Sequence, residues 1–208
     1  MNRLSALFLG TMLTLGGASG SLAQAIVGVA FVDGKRVDLY DNGTWDFSEQ
    51  GDLTCQKIAA KLSFCGNPLK WKPARVPNAE VSAAFSMDDR NYGMVVYEAV
   101  GAKEGMSPAL LQSVALEYAA EAAGVSVPHI PVYGIEPSEV SGHATETLYY
   151  GASLEGMNII YANTPIVGDH DTAQLITYTL AEQIDDAFKA RHMAFLDDFK
   201  ANFWEDSE

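Results

Sequence analysis

Residues 145–203 constrain the fold of this chain more than any other stretch, because strand signals and a helix signal follow one another there in a fixed order. Three runs of β-branched and aromatic residues, at 148–150, 157–161 and 174–178, are separated by breaks that contain glycine or proline. Apolar residues then recur at helical spacing: Ile184, Phe188, Phe195, Phe199 and Phe203. The stretch predicts three strands followed by one long amphipathic helix that packs across their sheet.

The first 25 residues have the pattern of a secretory signal peptide. A positive charge at Arg3 precedes an apolar run at 4–15, and small residues lead to a cleavage site near Ala25. The apolar run is about 12 residues long, whereas a membrane-spanning helix needs roughly 20. We expect a periplasmic or secreted chain with no transmembrane segment, and peripheral association with the envelope stays open.

The formal net charge of −14 narrows the range of partners. Nucleic acids and anionic lipid surfaces bind through lysine and arginine, so the acidic balance argues against both. It is compatible with a basic protein partner, with divalent cations, or with a role in solubility alone. The 48% hydrophobic content is enough for a packed core.

Cys55 and Cys65 are the two cysteines of the chain, and a lone pair in an oxidising compartment usually forms a disulfide. A single helix between them would hold their Cα atoms about 15 Å apart, whereas a disulfide needs less than about 7 Å. The sequence therefore predicts that the chain turns back near residues 63–66 and that the disulfide is structural.

The N-terminal region carries two hairpin signals, Asp-Gly at 33–34 and Asn-Gly at 42–43. They predict a three-stranded meander at 27–32, 36–40 and 44–47. Prolines at 68, 73 and 77 then predict an irregular connector, so we place a boundary between an N-terminal region at 26–78 and a main domain at 79–208.

The main domain opens with a predicted hairpin, whose strands lie within 79–87 and 92–99. A helix follows, with Ser107 as its N-cap, Pro108 at its first position and Gly124 just past its end. Its predicted inward face consists of Leu110, Leu111, Val114 and Tyr118. Residues 132–135 are at best a short edge strand.

These elements together predict an α+β fold. No β-α-β alternation is visible, so the sheet should be antiparallel and packed by helices, similar to an α-β-α sandwich and preceded by the small N-terminal hairpin region.

The segment Gly168-Asp169-His170-Asp171 is a candidate metal site, because it places two carboxylates and an imidazole in one turn. Such groups bind divalent cations. The alternative is a solvated β-turn, for which glycine and aspartate are usual residues. We predict no other cofactor.

Ser141 and His143 lie close in sequence and raise the alternative of a hydrolase. Neither this segment nor 151–156 is a Gly-x-Ser-x-Gly motif, and no strand-to-helix elbow follows either serine. His192 falls on the apolar face of the last helix. A buried base is one reading of it, and a core histidine bonded to a sheet carbonyl is the favoured one.

Exposed aromatic residues are the candidates for a contact surface. Tyr149 and Tyr150 are adjacent in a strand, so they point to opposite faces of the sheet, and one of them should point outward. The candidate contact residues are Trp45, Tyr149, Tyr150, Tyr161 and Tyr178. Ordinary sheet packing is the alternative.

The main domain resembles the PsbP-like and DcrB-like family of secreted α/β domains. The residues that carry the resemblance are the strand segments 158–162 and 173–179 and the closing segment 187–199. The resemblance implies an α-β-α sandwich and a non-enzymatic accessory domain that docks on larger assemblies or membrane-associated partners.

Two hypotheses for function follow. The first is a periplasmic accessory or binding module that recognises a protein partner or an envelope assembly. The second is a hydrolase or divalent-metal-dependent enzyme that uses the 168–171 turn or the segment containing Ser141 and His143.

Overall fold

The computed structural model describes residues 26–32, 35–47 and 55–204, and within them it contains thirteen strands and two α-helices. The strands are β1 (Ile26–Val32), β2 (Lys35–Tyr40), β3 (Trp45–Phe47), β4 (Gln56–Ala59), β5 (Leu62–Phe64), β6 (Lys72–Ala74), β7 (Ala83–Ser86), β8 (Asn91–Glu98), β9 (Val132–Val140), β10 (His143–Leu154), β11 (Met157–Val167), β12 (Thr172–Leu180) and β13 (Phe199–Ala201). The helices are α1 (Pro108–Ala123) and α2 (Asp186–Leu196), with 3₁₀ turns at Ala102–Glu104 and Val127–His129.

The predicted fold class, an α+β sandwich of helices packed on one sheet, is wrong. Strands hold 47% of the structure and helices 20%, and the strands form three antiparallel sheets, one of seven strands. The physical reason is that two predicted non-strand regions, the proline-containing connector and the end of the last helix, find strand partners elsewhere in the chain. The protein is mostly β.

The seven-stranded sheet has the order β6-β7-β8-β12-β11-β10-β9, so β6 and β9 are its edges. The three predicted strand runs at its centre are confirmed and extend well beyond the runs themselves. Pro73 lies in β6, where an edge strand tolerates the missing N–H. The predicted short edge strand at 132–135 is the nine-residue β9, which contains Pro137.

The N-terminal meander is confirmed as the sheet β1-β2-β3. Its second turn has Gly43 at φ 79°, and the Asn42 side-chain oxygen accepts a hydrogen bond from the backbone N–H of Thr44 at 2.9 Å. The predicted Asp-Gly turn at 33–34 and the signal peptide at 1–25 lie outside the described residues.

Helix α1 begins and ends as predicted. The Ser107 hydroxyl accepts the N–H of Leu110 at 3.2 Å, and Gly124 adopts the left-handed conformation at φ 66°. The predicted inward face is correct at Leu111, which is buried, but wrong at Leu110 and Tyr118, which are exposed. The buried residues of α1 are Leu111, Gln112, Ala115 and Ala120.

Helix α2 is shorter than the predicted last helix, because it ends at Leu196. Phe199 belongs to β13, which pairs with β5 through Phe199 and Phe64. A strand partner from the N-terminal half of the chain thus interrupts the helical repeat. Phe199 and Phe203 remain buried, but as parts of a strand and a turn.

The disulfide between Cys55 and Cys65 is confirmed, with Cα atoms 4.1 Å apart across the β4-β5 hairpin. The backbone N–H of Cys65 also bonds the carbonyl of Asp198 at 2.6 Å. Strand pairs therefore cross the predicted boundary near residue 78 twice, through β5 and β6. The division into two domains stays a prediction.

An aromatic cluster forms the centre of the largest core. Phe195 packs 4.7 Å from Trp71, 5.0 Å from Phe199 and 5.9 Å from Phe85, measured between ring centroids. All four rings are almost fully buried, and each comes from a different element or loop. Their burial ties residues 71–85 to the C-terminal segment.

The two helices lie on opposite faces of the large sheet. Ala115 and Ala120 of α1 pack with Leu148 and Tyr150, whereas Phe188 of α2 packs on the other face, with a cluster that includes Tyr149. We call these the α1 face and the α2 face. Neither helix in the described part of the chain is long and apolar enough to cross a membrane.

Candidate functional site

The predicted acidic turn at 168–171 connects β11 to β12 and packs against the 3₁₀ turn before α1. The N–H groups of Ala102 and Lys103 donate to the carbonyls of Gly168 and Asp169, at 2.8 and 3.0 Å. The contact requires glycine at position 101, because an added Cβ would lie 2.4 Å from the backbone of Asp169. The two turns form a tightly docked backbone unit.

The side chains of this turn have separate partners. Asp169 lies 2.8 Å from the ammonium group of Lys103, and the His170 Nδ1 lies 2.9 Å from a carboxylate oxygen of Glu104. Asp171 is buried, accepts a 2.5 Å hydrogen bond from the Tyr97 hydroxyl and pairs with Lys61 at 3.3 Å.

Electrostatics at the turn follow from these contacts. The hydrogen bond and charge of Lys103 lower the pKa of Asp169, and the hydrogen bond to His170 lowers the pKa of Glu104. Desolvation, followed by the bond to Asp171, raises the pKa of Tyr97 to about 12.

No group of three or more potential ligands in the described residues is arranged to hold a metal ion. The divalent-cation prediction for Asp169, His170 and Asp171 stays a prediction, and each of its side chains already has another partner. The structure shows an ion-pair network at this turn, in which Asp169 and His170 are exposed and Asp171 is buried.

Ser141 lies in the tight turn between β9 and β10, and His143 is the first residue of β10. Their side chains have different partners. The Ser141 hydroxyl donates to the Phe199 carbonyl at 3.1 Å and accepts the N–H of Ala201 at 2.9 Å, so it fastens β13 to the hairpin. The His143 ring stacks on Trp204 with centroids 3.5 Å apart.

Both residues line a shallow cleft of about 260 Å³. Its lining consists of Ser141, His143, Phe199, Lys200, Ala201, Asn202 and Trp204. Within the described residues this lining contains no carboxylate, so the third member of a Ser-His-carboxylate triad does not come from it.

His192 is fully buried between α2 and the sheet. Its Nε2 lies 2.7 Å from the Thr164 hydroxyl and its Nδ1 lies 2.9 Å from the Thr177 hydroxyl. The predicted core role fits, but the partners are hydroxyls where we expected a sheet carbonyl. Burial lowers the pKa of His192 to about 3, so the ring is neutral in the folded protein at neutral pH.

A row of hydroxyls extends from His192 across the α2 face. Thr164 contacts Thr147 at 2.6 Å, and Thr147 contacts Ser138 at 2.5 Å. Together with Thr177, these residues place one hydroxyl on each of β12, β11, β10 and β9. The row satisfies buried polar groups and pins the register of four strands.

The predicted contact surface needs correction at Tyr149 and Tyr150. Both are buried. Helix α2 covers the face of the sheet to which Tyr149 points, and α1 covers the face to which Tyr150 points. Trp45 is 58% exposed and contacts Phe47 edge-on. The surface role of Trp45 stays a prediction.

Tyr161 and Tyr178 belong to a ladder of four tyrosines in register across four strands. Tyr92 faces Tyr178, Tyr178 faces Tyr161, and Tyr161 faces Tyr150. Neighbouring ring centroids are 5.1, 5.6 and 5.0 Å apart. Burial raises the pKa of Tyr161 to about 12. The stacked rings make the ladder mainly cross-strand packing.

An apolar surface that the sequence did not predict lies at the edge strand β9, and we call it the edge patch. Its five side chains are 38% to 51% exposed: Val125, Val127, Val132, Tyr133 and Ile135. The β-branched residues of 132–135 were the available signal, but the three nearby prolines favoured a loop.

A cleft of about 440 Å³ adjoins the edge patch at one end of the sheet. Val125 and Tyr133 contribute to its wall, and the remaining lining is Ala123, His129, Ile130, Pro131, Gly151, Ala152, Ser153, Asn158, Ile159, Ile160 and Glu182.

No protein-family model matches the chain, and no curated protein sequence matches it. Among solved structures, the solution structure of cyanobacterial PsbP (CyanoP) from Synechocystis sp. PCC 6803 is similar, with a TM-score of 0.50 and 14% identity. The match covers 75% of this chain and 97% of that one.

A protein of unknown function from Pseudomonas aeruginosa, PA94, also aligns, with a TM-score of 0.36, 14% identity and coverage of 81% of this chain and 93% of that one. At these identities the likeness to CyanoP shows the fold alone. The resemblance to PsbP-like domains predicted from the sequence is thus supported in part, for the fold of a mostly β domain.

Proposed function

We propose that this protein is a non-catalytic accessory module of the periplasm or envelope that recognises a protein partner through the edge patch. The observation that carries the proposal is the exposure of five large apolar side chains at one edge of the sheet. Three are on the edge strand β9, two are in the segment that precedes it, and a cleft adjoins them. Exposed apolar side chains that gather at one edge of a sheet commonly mark interaction sites.

The contacts of the candidate catalytic residues also support a non-catalytic role. The Ser141 hydroxyl fastens β13, and His192 lies among threonine hydroxyls beneath α2. His170 is held beside Glu104 at the surface. Each of these groups has a structural partner. Ser141 and His143 line the same cleft of about 260 Å³, but its lining within the described residues contains no carboxylate to complete a triad.

The architecture of the sheet also supports a binding role. A sheet with a helix on each face holds an edge strand rigidly, and a rigid edge presents its side chains at low entropic cost to a partner. The disulfide between Cys55 and Cys65 is compatible with an oxidising compartment.

Site-specific photo-crosslinking tests the proposal. A benzophenone amino acid is placed at Ile135 in one chain and at Val76, near the opposite edge, in a control chain; these residues are 51% and 41% exposed. In the producing cell we expect a discrete adduct from position 135 that position 76 does not give. The adduct should disappear when Val132→Asp is added, because a charge in the edge patch opposes burial.

Two results would overturn the proposal. One is the same adducts from positions 135 and 76, which would mean nonspecific capture. The other is an adduct at 135 that Val132→Asp leaves unchanged while circular dichroism shows the variant folded.

A further inference from the structure

The outer edge of β9 offers backbone groups for strand pairing. Ser141 and Gly142 form a two-residue turn with φ of 52° and 80°, so the flanking residues Val140 and His143 form a hydrogen-bonded pair. By alternation along an antiparallel ladder, Glu136 also bonds to β10, whereas Ile135 directs its N–H and C=O away from β10.

The open part of this edge is short. Pro137 is two residues after Ile135, so its backbone nitrogen also points outward. Because proline has no N–H, it offers no donor there, and proline commonly limits pairing at sheet edges in this way. Beyond it, Ser141 holds β13 against the end of β9. No strand of the described residues pairs with the outer edge of β9, and 132–136 is its accessible segment.

The cleft lies beside this segment. Tyr133 is 42% exposed and its ring lies over Gly151, where an added Cβ would be 2.7 Å from the tyrosine hydroxyl oxygen. Glu182 adds a carboxylate to the wall of the cleft. A strand added along 132–136 would therefore run next to an opening that takes one apolar or basic side chain.

The distribution of charged residues in this protein indicates which side chains an added strand would carry. The chain contains twelve aspartates and glutamates, and no lysine or arginine, from Glu104 to Phe188. This stretch builds α1 and β9 through β12. The basic residues concentrate instead at 57–75, in and around β4, β5 and β6. Lys189, the first base after the acidic stretch, is paired with Glu136.

We propose that the β9 segment at 132–136 binds an extended segment of a basic protein partner as an eighth strand of the large sheet. Backbone pairing to Ile135 provides the register, and the edge patch contacts the apolar side chains. The Glu182 carboxylate in the cleft wall and the acidic composition of residues 104–188 favour lysine and arginine. This inference rests on the proposed function and names the partner's chemistry.

Designed ten-residue peptides test it by fluorescence anisotropy with the full mature chain. The first alternates valine with lysine, the second alternates valine with glutamate, and the third is the lysine peptide N-methylated at every second residue. We expect the first to bind, with affinity that falls as salt rises, and the other two to bind at least about tenfold more weakly.

Two variants at position 135 distinguish the contribution of the backbone hydrogen bond to peptide binding from that of the side chain. Ile135→Pro removes the outward N–H, whereas Ile135→Ala shortens the side chain and keeps that N–H. We expect proline to weaken the lysine peptide about fivefold more than alanine does, the effect of one lost hydrogen bond. The N-methylated peptide gives the same information without altering the protein, in case the proline variant does not fold.

Equal binding of the lysine peptide and its N-methylated form would overturn strand addition, and so would no binding of the lysine peptide at about 1 mM. Tighter binding of the glutamate peptide would overturn the basic partner. In each case a crosslink at position 135 that Val132→Asp abolishes would leave the proposed function standing.

Discussion

The neutral, buried His192 makes a testable contribution to the pH dependence of stability. Its pKa is about 3 in the folded chain, because burial disfavours the imidazolium. In the unfolded chain the reference value is about 6.5. As pH falls through this window, the unfolded chain binds a proton that the folded chain does not, so folding stability is lost between about pH 6.5 and pH 3.

The magnitude follows from the two pKa values. Below pH 6.5 each pH unit costs about 1.4 kcal/mol of unfolding free energy until the folded-state pKa is reached. Between pH 7 and pH 5 the loss from this one group is about 2 kcal/mol. That figure depends little on the folded-state pKa, because pH 5 is well above about 3.

Urea unfolding at a series of pH values measures this loss in the native chain and in His192→Asn. We expect the variant to lose about 2 kcal/mol less than the native chain between pH 7 and pH 5. Thr177→Val is the matched control: it removes a hydrogen-bond partner of the ring and leaves the imidazole buried, so it should lower stability while keeping the native pH dependence. Parallel pH curves for the native chain and His192→Asn would refute the reasoning.

Three further predictions concern stability measured by urea or thermal unfolding. Cys65→Ser opens the loop closed by the disulfide and should cost about 3 kcal/mol, and a loss below about 0.5 kcal/mol would show that the β4-β5 pairing already closes that loop. Gly101→Ala forces a Cβ against the backbone of Asp169 and should cost about 1–3 kcal/mol; an unchanged midpoint would mean that the two turns separate easily. Ser107→Ala should cost about 1 kcal/mol by removing the cap on Leu110, whereas Ser107→Asp should retain stability, and equal losses in both would contradict the capping role.

Much of the fold was predictable because its signals are local. Ser107, Pro108 and Gly124 specify the ends of α1 through backbone groups within one helical turn. The Asn-Gly turn at 42–43 sets the second hairpin of the meander in the same way. The central strands follow from their β-branched composition.

The wrong secondary-structure predictions concern residues that pair with another segment of the chain. Phe199 continues a helical repeat in sequence, but pairing with Phe64 places it in a strand. Pro73 predicts irregular structure in sequence, yet an edge position in the sheet tolerates it. In both cases a partner many residues away decides between two conformations that the local sequence allows.

For the candidate sites, the sequence predicts the types of residue involved but not the contacts that these residues make. The sequence identified the acidic turn at 168–171, but only the fold brings Lys103, Glu104 and Lys61 to it and turns a candidate metal site into an ion-pair network. The sequence likewise indicated a core role for His192, but its hydroxyl partners lie on strands that become adjacent only in the folded sheet.

The sequence by itself determined the acidic character, the disulfide pair, the capped helix α1 and the central strands of this protein. The tertiary structure decided which tyrosines are buried, where the last helix ends and which strand stays open at the edge of the sheet. The physical reason is that composition and capping act within a few residues, whereas burial and strand order depend on contacts between segments that the sequence keeps far apart.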